Sequence, residues 1–417
     1  MKEKILDLHI HSKYSRGCSK SLELESIADT CETRGIDMVV TGDFTHPAWF
    51  ASMKEKLVED TGGIYKLKNY KSKTRFMIGT EIASIKKHKD KTRRVHLLIF
   101  APNLEAAEKL NKKLTNDGFN LSSDGRPILG MTSHDILEYI LEVDERMVMI
   151  PAHAWTPWFG MLGSKGGYDS LEDAFDDLTP HISAIETGLS SDPIMNWKVP
   201  SLDNITLISN SDAHSTPKLG REANVMRFAN DSEVTYDEIM RIIREGDKNK
   251  FLYTIEFYPE EGKYHYDGHR ACNFSCHPEE TKKYKGICPK CKKPMVIGVM
   301  NRVDELGDRS KDVAKKMDRI PYKSLVPLPE IIGDTLGFGP NTKTVARVYD
   351  SLIEKIGNEF YILIHATLPE IENASSKQVA EAVDRVRKGN IHVVPGYDGE
   401  FGIVKVFEDG ENKGGVK

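Results

Sequence analysis

Seven short apolar runs punctuate the first 246 residues of the chain, and segments of helical period separate most of them. The runs lie at residues 5–9, 37–41, 76–80, 95–100, 147–151, 182–186 and 206–209, and the helical segments at 22–34, 104–117, 133–143 and 171–178. Short apolar strands alternating with amphipathic helices predict a parallel α/β architecture. Ser21 is expected to cap the first helix and Gly35 to close it. The ends of the runs are as telling as the runs themselves. His9, His11, Asp43, His46, Glu81, His96, His153, Asp212 and His214 mostly sit at or just beyond them. Barrels and open parallel sheets both place their chemistry at strand C-termini. A closed barrel is the expectation here, because so many strands contribute to one site.

The local grammar of these positions points to metal. In "ILDLHIHS", Ile5, Asp7, His9 and His11 share one face of an extended segment, and Leu6, Leu8 and Ile10 share the other. Two imidazoles at i and i+2 can then converge on one ion. Asp212 and His214 repeat that spacing after the run ending at Ser209. A lone histidine on an apolar face is more often a satisfied core residue, but nine such coincidences predict a polynuclear site that performs hydrolysis. Clustered divalent ions bring the pKa of a shared water to near ~7 and stabilise both oxygens of an in-line displacement at phosphorus. Mixed imidazole and carboxylate ligands suit zinc, manganese or iron, with magnesium admitted as an activator.

The formal net charge of −5 does not announce a nucleic-acid binder, yet local blocks are strongly basic. "KKHKDKTRR" at residues 86–94 holds a single acid and "KKYKGICPKCKK" at 282–293 holds none. Either alone reads as a solvated face; both beside candidate metal elements fit a polyanionic substrate. Cys272, Cys276, Cys288 and Cys291 cluster, while Cys18 and Cys31 stand alone. "CPKC" has the form of a zinc knuckle, so the four are expected to hold one structural zinc, with His269 and His277 as nearby substitutes. Trp155, Trp158 and Phe159 crowd the stretch after His153, where they read either as loop packing or as a platform for a nucleobase. Lys218 and Arg221 read either as a phosphate clamp or as a solvated loop. No stretch approaches the ~18 apolar residues of a spanning helix, no signal peptide is visible, and the unpaired thiols fit a cytoplasmic location. The terminal "NKGGVK" is expected to fray.

The HxH opening, Asp43, Glu81, His96, His153 and the closing "DAH" resemble the PHP (polymerase and histidinol phosphatase) superfamily over roughly the first 225 residues. That resemblance implies a distorted (β/α)7 barrel with a trinuclear centre. His9, His11, Glu81 and Asp212 would hold one ion, and Glu81 would bridge to a second held by His96 and His153. Asp43, His46 and His214 would hold the third. Glu81, Asp43, Asp212 and His214 are accordingly the expected catalytic residues. The second motif departs from the superfamily's usual Asp-His, reading Asp43-Phe44, and His46 is the candidate for the missing imidazole.

Beyond the barrel, "YHYDGHRAC", "SCHPEET", "CPKC", "VPLPEIIG" and "PGYDGEFG" extend the likeness: the layout resembles the endonuclease Q family over nearly the whole chain. The resemblance implies a barrel domain at residues 1–246, a zinc-finger module at 247–300 and a mixed, partly helical DNA-binding region at 301–417. It implies cleavage of damaged DNA on the 5′ side of uracil, hypoxanthine, xanthine or an abasic site, leaving a 3′-hydroxyl and a 5′-phosphate. Some relatives act with the sliding clamp, but the tail carries no clamp-binding motif. Two other readings stay open at this point: a PHP phosphoesterase acting on a small phosphate monoester, and a non-enzymatic DNA-binding adaptor.

Overall fold

Why the sheet bends is already written in its connections. The computed structural model describes residues 1–89, 91–408 and 411, and the terminal "NKGGVK" lies outside them. Lys2–Asp7 is central to an eight-stranded sheet. It pairs in parallel with Met38–Val40, which pairs in parallel with Arg75–Met77. After Ile78 the chain enters Gly79–His88, the first long strand of a four-stranded sheet containing Lys91–Phe100 and Val148–Pro151. Ala154 N then donates to Glu186 O at 2.9 Å, leading to the parallel pair Ala184–Glu186 and Thr206–Ile208. A parallel bridge between Ile10 and Ala213 returns to the start. The three sheets therefore follow one another around a ring.

The expectation of a parallel architecture needs correction, because the ring is mixed. Gly79–His88 and Lys91–Phe100 are antiparallel with His88 opposite Lys91, and Val148–Pro151 is antiparallel to the latter. A connection that short admits only an antiparallel hairpin, whereas a parallel pair needs a crossover. Residues 86–88 and 91–94 of the basic block lie at the outer end of these two paired strands. Ala223–Phe228 also lies antiparallel to Lys2–Asp7.

The helices form with small shifts of boundary. Leu24–Arg34 starts after Glu23 rather than Ser21, without a side-chain cap, and Gly35 closes it. Leu104–Asn116 is capped by Asn103, whose side chain accepts from Ala106 N, and Ser133–Val143 by a Thr132–Asp135 capping box. The helix expected at 171–178 is a single turn, Glu172–Phe175, continued as the 3-10 segment Asp176–His181. Pro180 within it cannot donate to an α-helical ladder.

The domain boundary expected after Gly246 is not a break in the sheet. Phe251–Glu256 pairs with Ala223–Phe228, and Tyr322–Ser324 adds in parallel outside it. Ring residues such as Leu6, Ile82 and Ile150 share one apolar core with Leu328, Ile332 and Val383 of the C-terminal helices. The cysteine-bearing segment differs. It has its own small core of Cys276, Cys288 and Met295, built on the hairpin Asp267–His269 and Phe274–Cys276. So few apolar residues cannot hold a module together unaided. Among the described residues no helix is long and apolar enough to cross a membrane.

Candidate metal centre

Lys2–Asp7 delivers its extension, His9 and His11, into the ring with each side chain at most 1% exposed. Asp7 stays behind as an anchor, accepting from Ser211 N at 3.1 Å and Gly220 N at 2.9 Å. Those bonds tie the Asp212 turn to the first strand. Burial pushes the Asp7 carboxyl up to about 6. Asp43, His153 and Asp212 all have positive φ, of 45°, 29° and 46°. Non-glycine residues held there store strain that concentrates at functional sites.

Two sets of ligand-type atoms result, each gathered within 4.8 Å: His9 with His11 and Asp212, and Glu81 with His96 and His153. Glu81 faces both. Its Oε1 lies 2.8 Å from His96 Nδ1 and 3.1 Å from His153 Nε2. Its Oε2 lies 3.8 Å from His9 Nε2 and 3.4 Å from His11 Nε2. Asp212 Oδ1 is 3.5 Å and 3.2 Å from the same two nitrogens. His9 Nε2, His11 Nε2 and Asp212 Oδ1 are buried and have no hydrogen-bond partner among the described residues. Orphaned buried polar atoms are costly. Three of them converging from two strand ends, His9 and His11 from one and Asp212 from the other, fit a divalent cation.

His9 and His11 are each held from behind by a carboxylate. Glu186 lies 3.1 Å from His9 Nδ1, accepts from the His153 backbone at 2.7 Å, and accepts from Asn210 Nδ2 at 2.8 Å. Asp43 lies 3.1 Å from His11 Nδ1 and accepts from Ser12 N and Oγ, both at 2.7 Å. A carboxylate on Nδ1 fixes the tautomer that leaves Nε2 free to ligate. For His9, burial pulls the pKa down, but Glu186 and Asp212 outweigh it and hold it well above the ordinary value. Burial likewise opposes ionisation of Glu81, yet His96 and Arg126 hold it well below the usual carboxylate range.

The set expected around a third ion is not gathered. Asp43 is committed to His11 and Ser12. His46 stacks on Tyr14, with ring centroids 4.2 Å apart, at the start of the helix Pro47–Lys56. His214 lies beside His11 at 4.7 Å, and its Nδ1 donates to Asp212 O at 2.9 Å.

The site opens into a cavity of about 510 Å³. Trp155 and Phe159 line it, although Trp155 is only 1% exposed and donates from Nε1 to Asn196 Oδ1. Phe159 stacks on His96 at 4.5 Å. Trp158 is exposed and does not line the cavity. Lys218 pairs with Glu330 at 3.1 Å, and Arg221 Nε donates to Ser211 O at 2.8 Å, supporting the Asp212 turn from the cavity wall. The sequence reading missed Glu186 and Arg126, whose Nη1 lies 2.9 Å from Glu81 Oε2. Glu186 ends a strand in the same manner as the chosen ligands, so the signal was present. Arg126 lies in a loop after Leu104–Asn116 and gave none.

In the cysteine module the four-ligand group is His269, Cys272, Cys288 and Cys291, within 4.8 Å. Cys276, expected as a ligand, is buried and lies 3.3 Å from Thr281 Oγ1. The hairpin explains the exchange. His269 ends Asp267–His269, before the 3-10 turn carrying Cys272, whereas Cys276 pairs back opposite Asp267 at the far end. His277 accepts from Glu279 N, capping Pro278–Lys283.

A family model described as the MJ0043 C-terminal domain matches residues 327–390. The uncharacterized protein MJ0043 of Methanocaldococcus jannaschii is 34% identical over 285 residues, covering 66% of this chain and 35% of that protein. The chain thus spans about a third of that relative's length. The crystal structure of the lesion-specific endonuclease PfuEndoQ from Pyrococcus furiosus superposes with a TM-score of 0.85 at 31% identity, covering 98% of this chain and 96% of that one. A structure of endonuclease Q with a 27-mer duplex bearing an abasic lesion at its active site gives the same TM-score and identity, covering 98% and 97%.

Two outcomes follow from the geometry. Glu186→Gln keeps the shape but weakens the acceptor behind His9, and should lower metal affinity by about 10–100-fold. Titration against a chelator checks this, and unchanged affinity would refute the orienting role. In the module, His269→Ala should release about one ion per chain while Cys276→Ser keeps it, as read by elemental analysis of the purified variants.

Proposed function

The chain belongs to the endonuclease Q family, and from that premise we propose that it hydrolyses the DNA phosphodiester on the 5′ side of deaminated bases and abasic sites. The products are a 3′-hydroxyl and a 5′-phosphate. The observation that carries the reading is Glu81, whose two oxygens face two imidazole sets beside a cavity lined by His96, His153 and Asp212. We read the ring of strands as the distorted seven-stranded PHP barrel. The His269 set is read as the seat of one structural zinc, and the C-terminal helices as part of the DNA-binding surface.

His9, His11 and Asp212 would hold one divalent ion and His96 and His153 another, with Glu81 between them. Bound ions supply an activated water and offset the charge of the phosphate. The protein does the rest. Glu186 and Asp43 hold the imidazoles in their ligating tautomers. Arg126, on the cavity wall beside Glu81, offers a guanidinium to a phosphate oxygen. The cavity is large enough to admit a nucleoside turned out of the duplex, and a deaminated base costs less to extrude because it pairs poorly. The exposed lysines of residues 282–293 offer charge to the DNA backbone. A small monoester would need neither this module nor a cavity of about 510 Å³. A DNA-binding adaptor would not need two gathered sets of ligand-type side chains, one of them with orphaned buried atoms.

Labelled duplexes bearing a single uracil, hypoxanthine or abasic site should be nicked once, 5′ of the lesion, in a divalent-metal-dependent manner, and an undamaged duplex should not. Glu81→Ala should reduce the rate by more than the ~10²-fold typical of changes behind the ligands. Gel analysis of the cleavage products decides, and turnover of small phosphates without nicking would overturn the reading.

A further inference from the structure

A strap of chain from the far C-terminus reaches the mouth of the metal cavity. The short hairpin His392–Val394 and Ile403–Lys405 is joined by a loop laid along residues 260–270. Gly396 N donates to Glu260 O at 2.7 Å, Gly399 N to Lys263 O at 3.0 Å and Gly402 N to Glu261 O at 3.0 Å. Tyr266 N donates back to Gly396 O at 2.9 Å. Arg270 N donates to Asp398 Oδ2 at 2.6 Å, and Tyr397 Oη to Asn273 Oδ1 at 2.7 Å. A side chain on Gly396 or Gly402 would run into the backbone of Gly262 or Glu260, so the loop is pressed flat onto its neighbour.

This fixed loop presents one aromatic ring. Phe401 lines the cavity that ends at His96, His153 and Asp212, yet it is 58% exposed. Lys263 Nζ lies 4.4 Å from its ring centroid. Single exposed apolar residues are ordinary on a surface. A phenylalanine held half in solvent by a ladder of backbone bonds, at the rim of a reaction cavity and beside a cation, is not placed there for packing. An aromatic face with an adjacent ammonium is the chemistry that binds a nucleobase and its phosphate.

We propose that Phe401 is the base-stacking contact at the mouth of the site, with Lys263 supporting the phosphate next to the stacked base. The proposal rests on the endonuclease reading and names the residue that holds the substrate's bases there. Two bases could meet the ring: the one turned into the cavity, or the one left beside the gap in the duplex. Both use the same stacking chemistry.

The full chain is tested as Phe401→Ala, Phe401→Trp and Phe401→Leu on a duplex with uracil opposite guanine, the same duplex with an abasic site, and a single strand with uracil. Phe401→Ala should lower kcat/KM on the uracil duplex about tenfold, and Phe401→Trp should restore it. Loss confined to substrates that carry a base at the lesion assigns stacking to the extruded base. Loss on both duplexes with the single strand spared assigns it to the base beside the gap. Equal activity of Phe401→Ala and wild type on all three, or full restoration by Phe401→Leu, would overturn the proposal. Should wild type itself fail to nick, the function reading falls. Stacking is then read from 2-aminopurine beside the lesion, whose fluorescence should change on binding wild type but not Phe401→Ala. No difference there would sink the stacking inference as well.

Discussion

Buried charge is the constraint around which the rest of this molecule is arranged. Glu81, Asp212, Glu186 and Asp43 place four carboxylates among four imidazoles, largely buried except where the site opens into the cavity. Burial alone would drive such groups to neutrality. The carboxyls of Glu81, Asp212 and Asp43 are nevertheless held below their usual range by the imidazoles they face, with Arg126 adding a fixed positive charge beside Glu81. An arrangement of this kind contributes little net stability. It makes sense as a place prepared for cations, with the ligating nitrogens of His9 and His11 left without partners.

The ring of strands is the means of assembly. Its members meet with their ends converging, so side chains more than 200 residues apart in sequence lie within 3.5 Å, as His9 and Asp212 do. Hydrogen bonds from Asp7 and Asn210 lock those ends together: Asn210 Oδ1 accepts from Leu8 N at 2.9 Å and its Nδ2 donates to Glu186. The left-handed conformations of Asp43, His153 and Asp212 are tolerated because these surrounding bonds over-determine them. The C-terminal half is part of the same construction. Its helices share the ring's core, two of its strands widen the sheet, and its last hairpin completes the cavity wall.

The sequence made the positions of the strands legible because each apolar run is bounded by a residue of different chemistry, and a strand end is where polar side chains can emerge. His9, His11, Glu81, His153 and Asp212 could be picked out on that rule alone, whereas His96 lies inside its run and stood out by residue type. The same rule failed for His46, which follows no strand directly and packs on Tyr14. For the cysteines the guide was spacing: "CxxxC" suggested Cys272 and Cys276 as a ligand pair, whereas the hairpin register brings His269 beside Cys272, Cys288 and Cys291. The aromatic cluster after His153 was visible, yet which rings face the cavity depends on how that loop folds. Trp155 went to the core and Trp158 to solvent.

By itself, then, the chain's order of residues determined a strand-rich α/β body with metal-type side chains at strand ends, and a small cysteine-bearing module, because periodicity and residue chemistry act over a few residues at a time. Direction of pairing, the division of Glu81 between two imidazole sets, the withdrawal of Asp43 to a place behind His11, and the arrival of Arg126 and Phe401 at the cavity were decided only in three dimensions. Each depends on which distant segments the apolar core brings into register, and no local pattern carries that information.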